Sequence, residues 1–240
     1  MKTEIYRAND RGTADIGVLK ANFSFSFALS YNPDKLNFGA LRVLNDDIIH
    51  GGMGFGTHPH ENFEIITIPL KGSLKHRDSM SNKWIPIETG EVQVMSAGSG
   101  VQHSEMNNHL TKEINLFQIW ILPNKENVTP RYDQKKFDAS ERKNKLQVLV
   151  SSIDNSVEDS LTIHQNAKIS RVDLDKNTYF KYNLTTKYQG VYIMLIEGEI
   201  QIENEILNKR DAIGIEQTSE IDIYALDKAQ LLLIEVPMRF

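Results

Sequence analysis

Apolar and polar residues alternate along much of this chain with the two-residue period of a β-strand. Phe23, Phe25 and Phe27 alternate with asparagine and serine, which predicts a strand whose phenylalanine face packs in a core. In residues 114–122 both alternate sets are largely apolar, which predicts a strand buried on both faces. Further strands are predicted at residues 39–44, 73–76, 84–87 and 92–95, between turns rich in Gly, Asn and Pro. The pattern predicts an all-β fold.

A polar segment divides the chain into two strand-rich parts. Residues 123–145 carry Pro130 and many charges of both signs, which predicts a connection between domains with a short helix or turn. Beyond it, residues 193–202 resemble residues 65–76, and residues 232–237 resemble residues 117–123. Such internal similarity predicts one strand-rich unit in each half. We therefore expect an N-terminal domain at residues 1–135 and a C-terminal domain at residues 136–240.

Composition excludes several classes of protein. The chain has 240 residues, of which 40% are hydrophobic and 25% charged, as in ordinary globular proteins. The net charge is -5 and no basic stripe is present, so direct nucleic-acid binding is not expected. No cysteine occurs, so disulfides and thiol chemistry are excluded. The sequence shows neither a signal peptide nor a membrane span, and we expect a cytoplasmic monomer.

Two short segments combine the residue types that bind metals. His58 and His60 are two residues apart, as are His103 and Glu105. Side chains at this spacing project from the same face of a strand. Two such strands side by side would direct three imidazoles and one carboxylate to one point. Imidazole and carboxylate suit iron, manganese, nickel, copper, cobalt or zinc, and the sequence predicts a metal site here.

Other polar residues near these segments are given lesser roles. Glu64 would share the face of His60 if the strand continued without a bulge, where it could ligate or, equally well, orient His60 or a bound water. The remaining histidines are expected to be hydrogen-bonded structural residues; they are His50, His76, His109 and His164. The glycines of residues 51–56 are expected to let the backbone pass close to the site.

These motifs resemble the cupin pattern, G-x5-H-x-H-x3,4-E followed by G-x-x-H-x3-N. The matching residues are Gly52, His58, His60 and Glu64, then Gly100, His103 and Asn107. A long interval before His103, and Glu105 two residues after it, are similar to the pirin family in particular. The chain also resembles bacterial pirin-like proteins in four segments: Phe-Ser-Phe, Gly54-Phe-Gly-Thr-His-Pro-His, Met95-Ser-Ala-Gly-Ser-Gly-Val-Gln-His-Ser-Glu and Thr129-Pro-Arg-Tyr.

The resemblance implies a bicupin, with two facing antiparallel β-barrels of jelly-roll type and short helices. It implies that His58, His60, His103 and Glu105 hold Fe(II) and that Glu64 is not a ligand. The second unit has only His164, with no histidine in its repeats of the ligand strands, so it is expected to bind no metal. The resemblance also implies a quercetin 2,3-dioxygenase activity, in which a flavonol is opened by dioxygen with release of carbon monoxide. Glu105 is then both a metal ligand and the catalytic proton acceptor.

Two other functions remain open from the sequence. Eukaryotic pirins resemble transcription cofactors that use the redox state of iron, so a non-enzymatic regulatory protein acting on a protein partner is the alternative. A sugar isomerase of cupin type would need Lys, Arg or Tyr at the mouth of the site. The approach to His58 carries Met53 and Phe55 instead, which favours a flat aromatic substrate.

Overall fold

The computed structural model describes residues 1–239, which form 22 β-strands and two short 3-10 helices, Ala8–Asp10 and Ala139–Arg142. The strands are β1 (Lys2–Tyr6), β2 (Gly12–Asp15), β3 (Leu19–Phe23), β4 (Leu41–Ile49), β5 (Gly54–His60), β6 (Glu64–Lys71), β7 (Ser73–Asp78), β8 (Ile85–Glu88), β9 (Glu91–Ser96), β10 (Val101–Asn107), β11 (Ile114–Ile121), β12 (Arg131–Lys136), β13 (Gln147–Ser152), β14 (Leu161–Ile163), β15 (Lys168–Leu174), β16 (Tyr179–Asn183), β17 (Gln189–Glu197), β18 (Glu199–Ile202), β19 (Glu205–Asn208), β20 (Ala212–Glu216), β21 (Glu220–Ala225) and β22 (Ala229–Pro237). In the described part of the chain, no helix is long and apolar enough to cross a membrane.

Each half of the chain is a sandwich of one large and one small sheet. In the N-terminal half the seven-stranded sheet has the order β12-β9-β6-β11-β4-β3-β2, and the four-stranded sheet the order β5-β10-β7-β8. The C-terminal half repeats this plan with β1-β20-β17-β22-β15-β13-β14 and β16-β21-β18-β19. The fold is therefore the expected bicupin of jelly-roll type, although its sheets are open sandwiches rather than closed barrels.

The two halves share a core that lies between their large sheets. In β11, Phe117, Ile119 and Ile121 belong to a buried cluster that also contains Tyr192 and Met194 of β17. The alternate residues of β11 point into the N-terminal sandwich, where Leu116 packs in a separate small cluster. This explains why both alternate sets of β11 are apolar, as the sequence predicted. One set covers the domain junction and the other lines the interior.

The interiors of the two sandwiches differ. The C-terminal one is filled by a large apolar cluster that includes Val191, Ile193 and Leu233. In the N-terminal one, two small apolar clusters leave a region lined by buried polar side chains, among them Thr67, Glu105 and Gln118. Buried polar groups without a packing role mark a binding site more often than a core.

The strand pattern confirms the predicted internal duplication. The paired segments occupy the same places in the two large sheets, since β6 and β17 are equivalent, as are β11 and β22. Gly72 and Gly198, with φ of 89° and 97°, form the turns that follow β6 and β17, a conformation that glycine adopts without strain.

Three details differ from the prediction. Strand β3 ends at Phe23, so the strand predicted through Phe25 and Phe27 is not formed, although Phe25 is buried in the core. The polar connection contains not only a 3-10 helix but also a strand, β12, which pairs with β9 at the edge of the N-terminal sheet. Its sequence does not alternate between apolar and polar residues, because it is an edge strand rich in lysine. In addition, β1 crosses to the other half and pairs with β20. The division at residue 135 stays a prediction, with this first strand belonging to the sheet of the second half.

Candidate metal centre

Strands β5 and β10 bring the predicted ligands together. They are antiparallel neighbours in the small N-terminal sheet, and His58 lies opposite His103. A bulge between His103 and Glu105 shifts the register there. The two strands approach closely at Gly54, where an added Cβ would lie 2.1 Å from the carbonyl oxygen of Glu105. Only glycine fits this approach, as the glycine-rich sequence before His58 predicted.

Three imidazoles converge at this point. Nδ1 of His58 lies 2.7 Å from the carbonyl oxygen of Gly56, so it carries the proton and Nε2 keeps its lone pair. That Nε2 is 2.9 Å from Nε2 of His103. Nε2 of His60 is buried without a hydrogen-bond partner among residues 1–239. The ligand atoms of all three lie within 4.8 Å of one another, which is an arrangement that a metal ion would satisfy.

Burial keeps the imidazoles of His60 and His103 neutral. It lowers the pKa of His60 to about 4, with the proximity of His58 adding to the effect. It lowers the pKa of His103 to about 2, where His58, His60 and His76 also contribute. Neutral imidazole is the form that binds metals. The electrostatics of the cluster therefore agree with its geometry.

Glu105 lies beside this cluster and is held at both oxygens. Gln118 donates a hydrogen bond of 2.7 Å from Nε2 to Oε2, and the Thr67 hydroxyl lies 3.4 Å from Oε1. A carboxylate oxygen of Glu105 and the ligand nitrogens of His103 and His76 lie within 4.8 Å of one another. Glu105 does not form such a group with His58 and His60. His103 is thus common to two sets of three possible ligands.

His76 is the residue near the site that the sequence did not single out. It lies on β7 opposite Glu105, is fully buried, and its Nε2 is 3.1 Å from Asp78 Oδ2. Its Nδ1 has no partner within residues 1–239. The interpretation of His76 as a hydrogen-bonded structural residue therefore describes only one of its nitrogens. No local signal marks it, because its position depends on the pairing of β7 with β10.

Glu64 is not part of the cluster, and the prediction that it shares a face with His60 was wrong. Asn62, with φ of 51°, lies in a turn that ends β5, and β6 then enters the large sheet. Glu64 accepts a hydrogen bond of 2.7 Å from the Ser96 hydroxyl. Burial raises its pKa to about 7, although Ser96, the main chain of His164 and Arg131 oppose this.

An open cavity of about 610 Å³ leads to the histidines, a volume typical of small-molecule sites. Its walls are mainly apolar; they include Ile16, Leu19, Phe23, Phe27, Phe55 and Trp120. Asn45 and Asp47 add polar groups near Glu105 and Gln118. Burial raises the pKa of Asp47 to about 8, helped by Asp46 and Glu105. The cavity therefore combines a broad apolar surface with a few polar groups beside the ligands.

Comparisons with known proteins agree with this architecture. The family model described as pirin matches residues 6–121, and the model described as quercetinase C-terminal cupin domain matches residues 149–236. A protein named quercetin 2,3-dioxygenase from Escherichia coli K12 is 40% identical over 231 residues, covering 96% of this chain and 97% of its own. A pirin-like protein from Caulobacter vibrioides is 38% identical and covers 93% of this chain and 95% of its own.

A solved structure shares the whole fold. The bacterial pirin YhhW of Escherichia coli, in complex with nickel(II), superposes with a TM-score of 0.91 at 36% identity. The match covers 98% of this chain and 99% of that one. With the duplicated sandwich, the histidine cluster of the N-terminal half and relatives of this similarity over nearly the full length, this chain belongs to the pirin family.

Proposed function

We propose that this protein is a metal-dependent dioxygenase that opens the ring of a flavonol such as quercetin. The observation that carries the proposal is the histidine cluster at the end of an open, largely apolar cavity. A purely structural metal site would be closed by protein ligands, whereas this one faces a space large enough for a flat aromatic molecule. The names of the full-length relatives support the same reaction.

The metal ligands that we propose are His58, His60, His103 and Glu105. The chain fits a metal because three imidazoles converge and Nε2 of His60 is buried without a hydrogen-bond partner among residues 1–239. Glu105 groups directly only with His103 among these histidines, so its ligation is the part of the proposal that needs its own test. Fe(II) is the ion that the resemblance to pirins implies. Nickel, found in the structure of the relative, is the first ion to compare with it, followed by Mn, Co, Cu and Zn.

A divalent ion held by these four residues would supply the Lewis-acid and redox chemistry for the reaction of a flavonol with dioxygen. The chain itself supplies binding and proton transfer. Phe23, Phe27 and Trp120 offer aromatic surface for the flat rings. Glu105 is the carboxylate placed to accept the proton of the substrate's 3-hydroxyl, and Gln118 holds it in one orientation.

Anaerobic reconstitution tests the proposal. Metal-free protein is loaded with Fe(II) or Ni(II) and mixed with quercetin in air, while flavonol absorbance and carbon monoxide are followed. We expect metal-dependent loss of quercetin with release of carbon monoxide. In His58→Ala, and in Glu105→Gln, turnover should disappear while the circular dichroism spectrum of the metal-free protein stays unchanged.

The outcomes separate two functions. Full activity of Glu105→Gln would show that this carboxylate has no catalytic role. Tight metal binding without turnover of any flavonol would contradict the dioxygenase proposal. It would favour the alternative, a regulatory metalloprotein that acts on a protein partner.

A further inference from the structure

A second cavity lies at the junction of the two halves and shares no lining residue with the cavity of the histidine cluster. Its volume is about 880 Å³. Residues of the N-terminal large sheet, the segment after β12 and the C-terminal large sheet all line it. Five of its lining side chains are basic; they are Lys71, Lys136, Arg142, Arg171 and Arg210. Such a concentration is unexpected in a protein of net charge -5.

Two of the arginines keep unused hydrogen-bond donors. Arg171 is only 7% exposed, and its hydrogen bond is from Nη2 to Gln230 Oε1 at 3.3 Å. Arg142 donates from Nε to Asp173 Oδ2 at 2.8 Å. Among residues 1–239, no atom accepts a hydrogen bond from Nη1 of Arg171 or from either Nη of Arg142. Guanidinium groups with free N–H donors beside a cavity are suited to bind an anion.

The acidic side chains nearby are already shared or engaged. Asp173 lies between Arg142 and Arg171, with 3.7 Å from its Oδ1 to Arg171 Nη2. Asp46 lies 3.6 Å from both Arg11 and Arg210. The two acids that line the cavity have partners of their own: Glu197 pairs with Lys209 at 2.8 Å, and Asp138 accepts a hydrogen bond from the main-chain N–H of Ser140.

The arginines are close enough to repel one another. Burial, together with the charges of Arg142 and Arg210, lowers the pKa of Arg171 to about 10, and Asp173 opposes this shift. A bound anion would relieve this repulsion, because it adds negative charge where the protein has more cations than free carboxylates.

We propose that the cavity between the two halves binds a small multivalent oxyanion, either a phosphate or a di- or tricarboxylate. Arginine binds both kinds of oxyanion through paired N–H donors. The size of the cavity and its place between domains are typical of ligand sites. Since Lys71 comes from the N-terminal large sheet and Arg171 from the C-terminal one, the anion would join the two halves of the chain. Its binding would therefore raise the stability of the whole protein.

Isothermal titration of the full-length, metal-free protein at low ionic strength tests this inference, with inorganic phosphate in one series and citrate in another. We expect saturable binding of at least one anion and a rise in Tm with its concentration. Tighter binding of phosphate would assign the site to phosphorylated ligands, and tighter binding of citrate to carboxylates. In Arg142→Gln, a change at the last residue of a short 3-10 helix, affinity should fall at least tenfold.

Lys181→Gln is the matched control, since it removes one positive charge from an exposed strand of the C-terminal half that does not line the cavity. It should bind the anion as the unchanged protein does. Arg171→Gln, if folded by circular dichroism, should lose binding more completely than Arg142→Gln. Absence of saturable binding of either anion, or an equal loss in the Lys181 and Arg142 variants, would overturn the proposal. Neither readout requires the metal or the dioxygenase activity, so the result is independent of the proposed function.

Discussion

At the scale of single residues, Glu105 is held by side chains that are not among the proposed metal ligands. Gln118 holds Oε2 of Glu105 at 2.7 Å, and the buried Thr67 lies next to the other oxygen. Partners of this kind orient a ligand, and their loss typically weakens metal binding by about 10 to 100-fold.

Gln118→Leu should therefore weaken binding of Fe(II) or Ni(II) by about tenfold or more, as measured by competition with a chelator. Gln189→Leu is the matched control: Gln189 is also buried and donates one hydrogen bond of 2.7 Å, to Asn166 O, but in the C-terminal half. Both variants should lose similar stability, and only the first should lose metal affinity. Equal metal affinities in the two variants would show that Glu105 needs no support from Gln118.

The ionisation of Glu64 gives a pH-dependent prediction. Its folded-state pKa, about 7, lies above the ordinary value of 4.5, so the folded protein takes up a proton there as the pH falls from 8 to 5. This uptake stabilises the folded state at pH 5 relative to pH 8, by up to about 3 kcal/mol. Glu64→Gln removes the effect. The free energy of unfolding of the variant minus that of the unchanged protein should therefore be larger at pH 8 than at pH 5.

Urea denaturation of the metal-free proteins at the two pH values measures this difference. The same relative stability at both values would contradict the raised pKa. Metal affinity should not change in Glu64→Gln, because Glu64 belongs to neither group of possible metal ligands among the described residues.

The turn that ends β5 shows how far the sequence could predict the site. The two-residue period of a strand predicted that His58 and His60 share a face, and likewise His103 and Glu105. Each of these predictions requires only that one strand be assigned correctly. Extending that period to Glu64 failed, since one residue with positive φ ends the strand. His76 and Gln118 could not be found at all, because they reach the site through strand pairing that no local pattern specifies.

At the scale of elements, the contact between β5 and β10 determines whether the histidines meet. Gly54→Ala would place a Cβ 2.1 Å from the Glu105 carbonyl oxygen and 2.6 Å from Met106 Cα, so the strands must separate. We expect a loss of about 1 to 3 kcal/mol of stability and a clear loss of metal affinity. Gly56→Ala, on the same strand, meets no atom within 4 Å and should change neither quantity. Thermal unfolding and metal titration of the pair measure both; similar behaviour of the two variants would show that the close approach is not required.

Elements were predicted best where a strand has a buried face. The strands β7 and β9 were predicted from the turns that bound them and β11 from its apolar residues, whereas β12 was missed, because an edge strand with charged side chains has the composition of a loop. The crossing of β1 to the C-terminal sheet was also missed. Its partner β20 lies some two hundred residues away, and the choice of partner depends on the assembled sheets rather than on the strand's own sequence.

At the scale of the whole molecule, the core between the two large sheets joins both halves into one structure. Phe38, which is 6% exposed, inserts its ring over two glycines of the C-terminal sheet. A Cβ at Gly214 would meet the ring of Phe38 at 2.6 Å, and one at Gly190 would meet it at 2.8 Å. The glycines therefore form a recess that the phenylalanine fills, and the two positions should depend on each other.

A double-mutant cycle measures this dependence. Phe38→Ala should cost about 3 to 5 kcal/mol of unfolding free energy through the space it leaves, and Gly214→Ala about 1 to 3 kcal/mol through overpacking. In the Phe38→Ala background the second change should be nearly neutral, because its methyl group enters the vacated recess. Unfolding in urea, followed by circular dichroism for both halves and by the two tryptophans, Trp84 and Trp120, for the N-terminal half alone, should show one coincident transition. Additive losses would mean that Phe38 and Gly214 are not coupled, and two separate transitions would mean that the halves unfold independently. Non-additive losses in a single transition would mean that the sandwich without the histidine cluster stabilises the one that carries it.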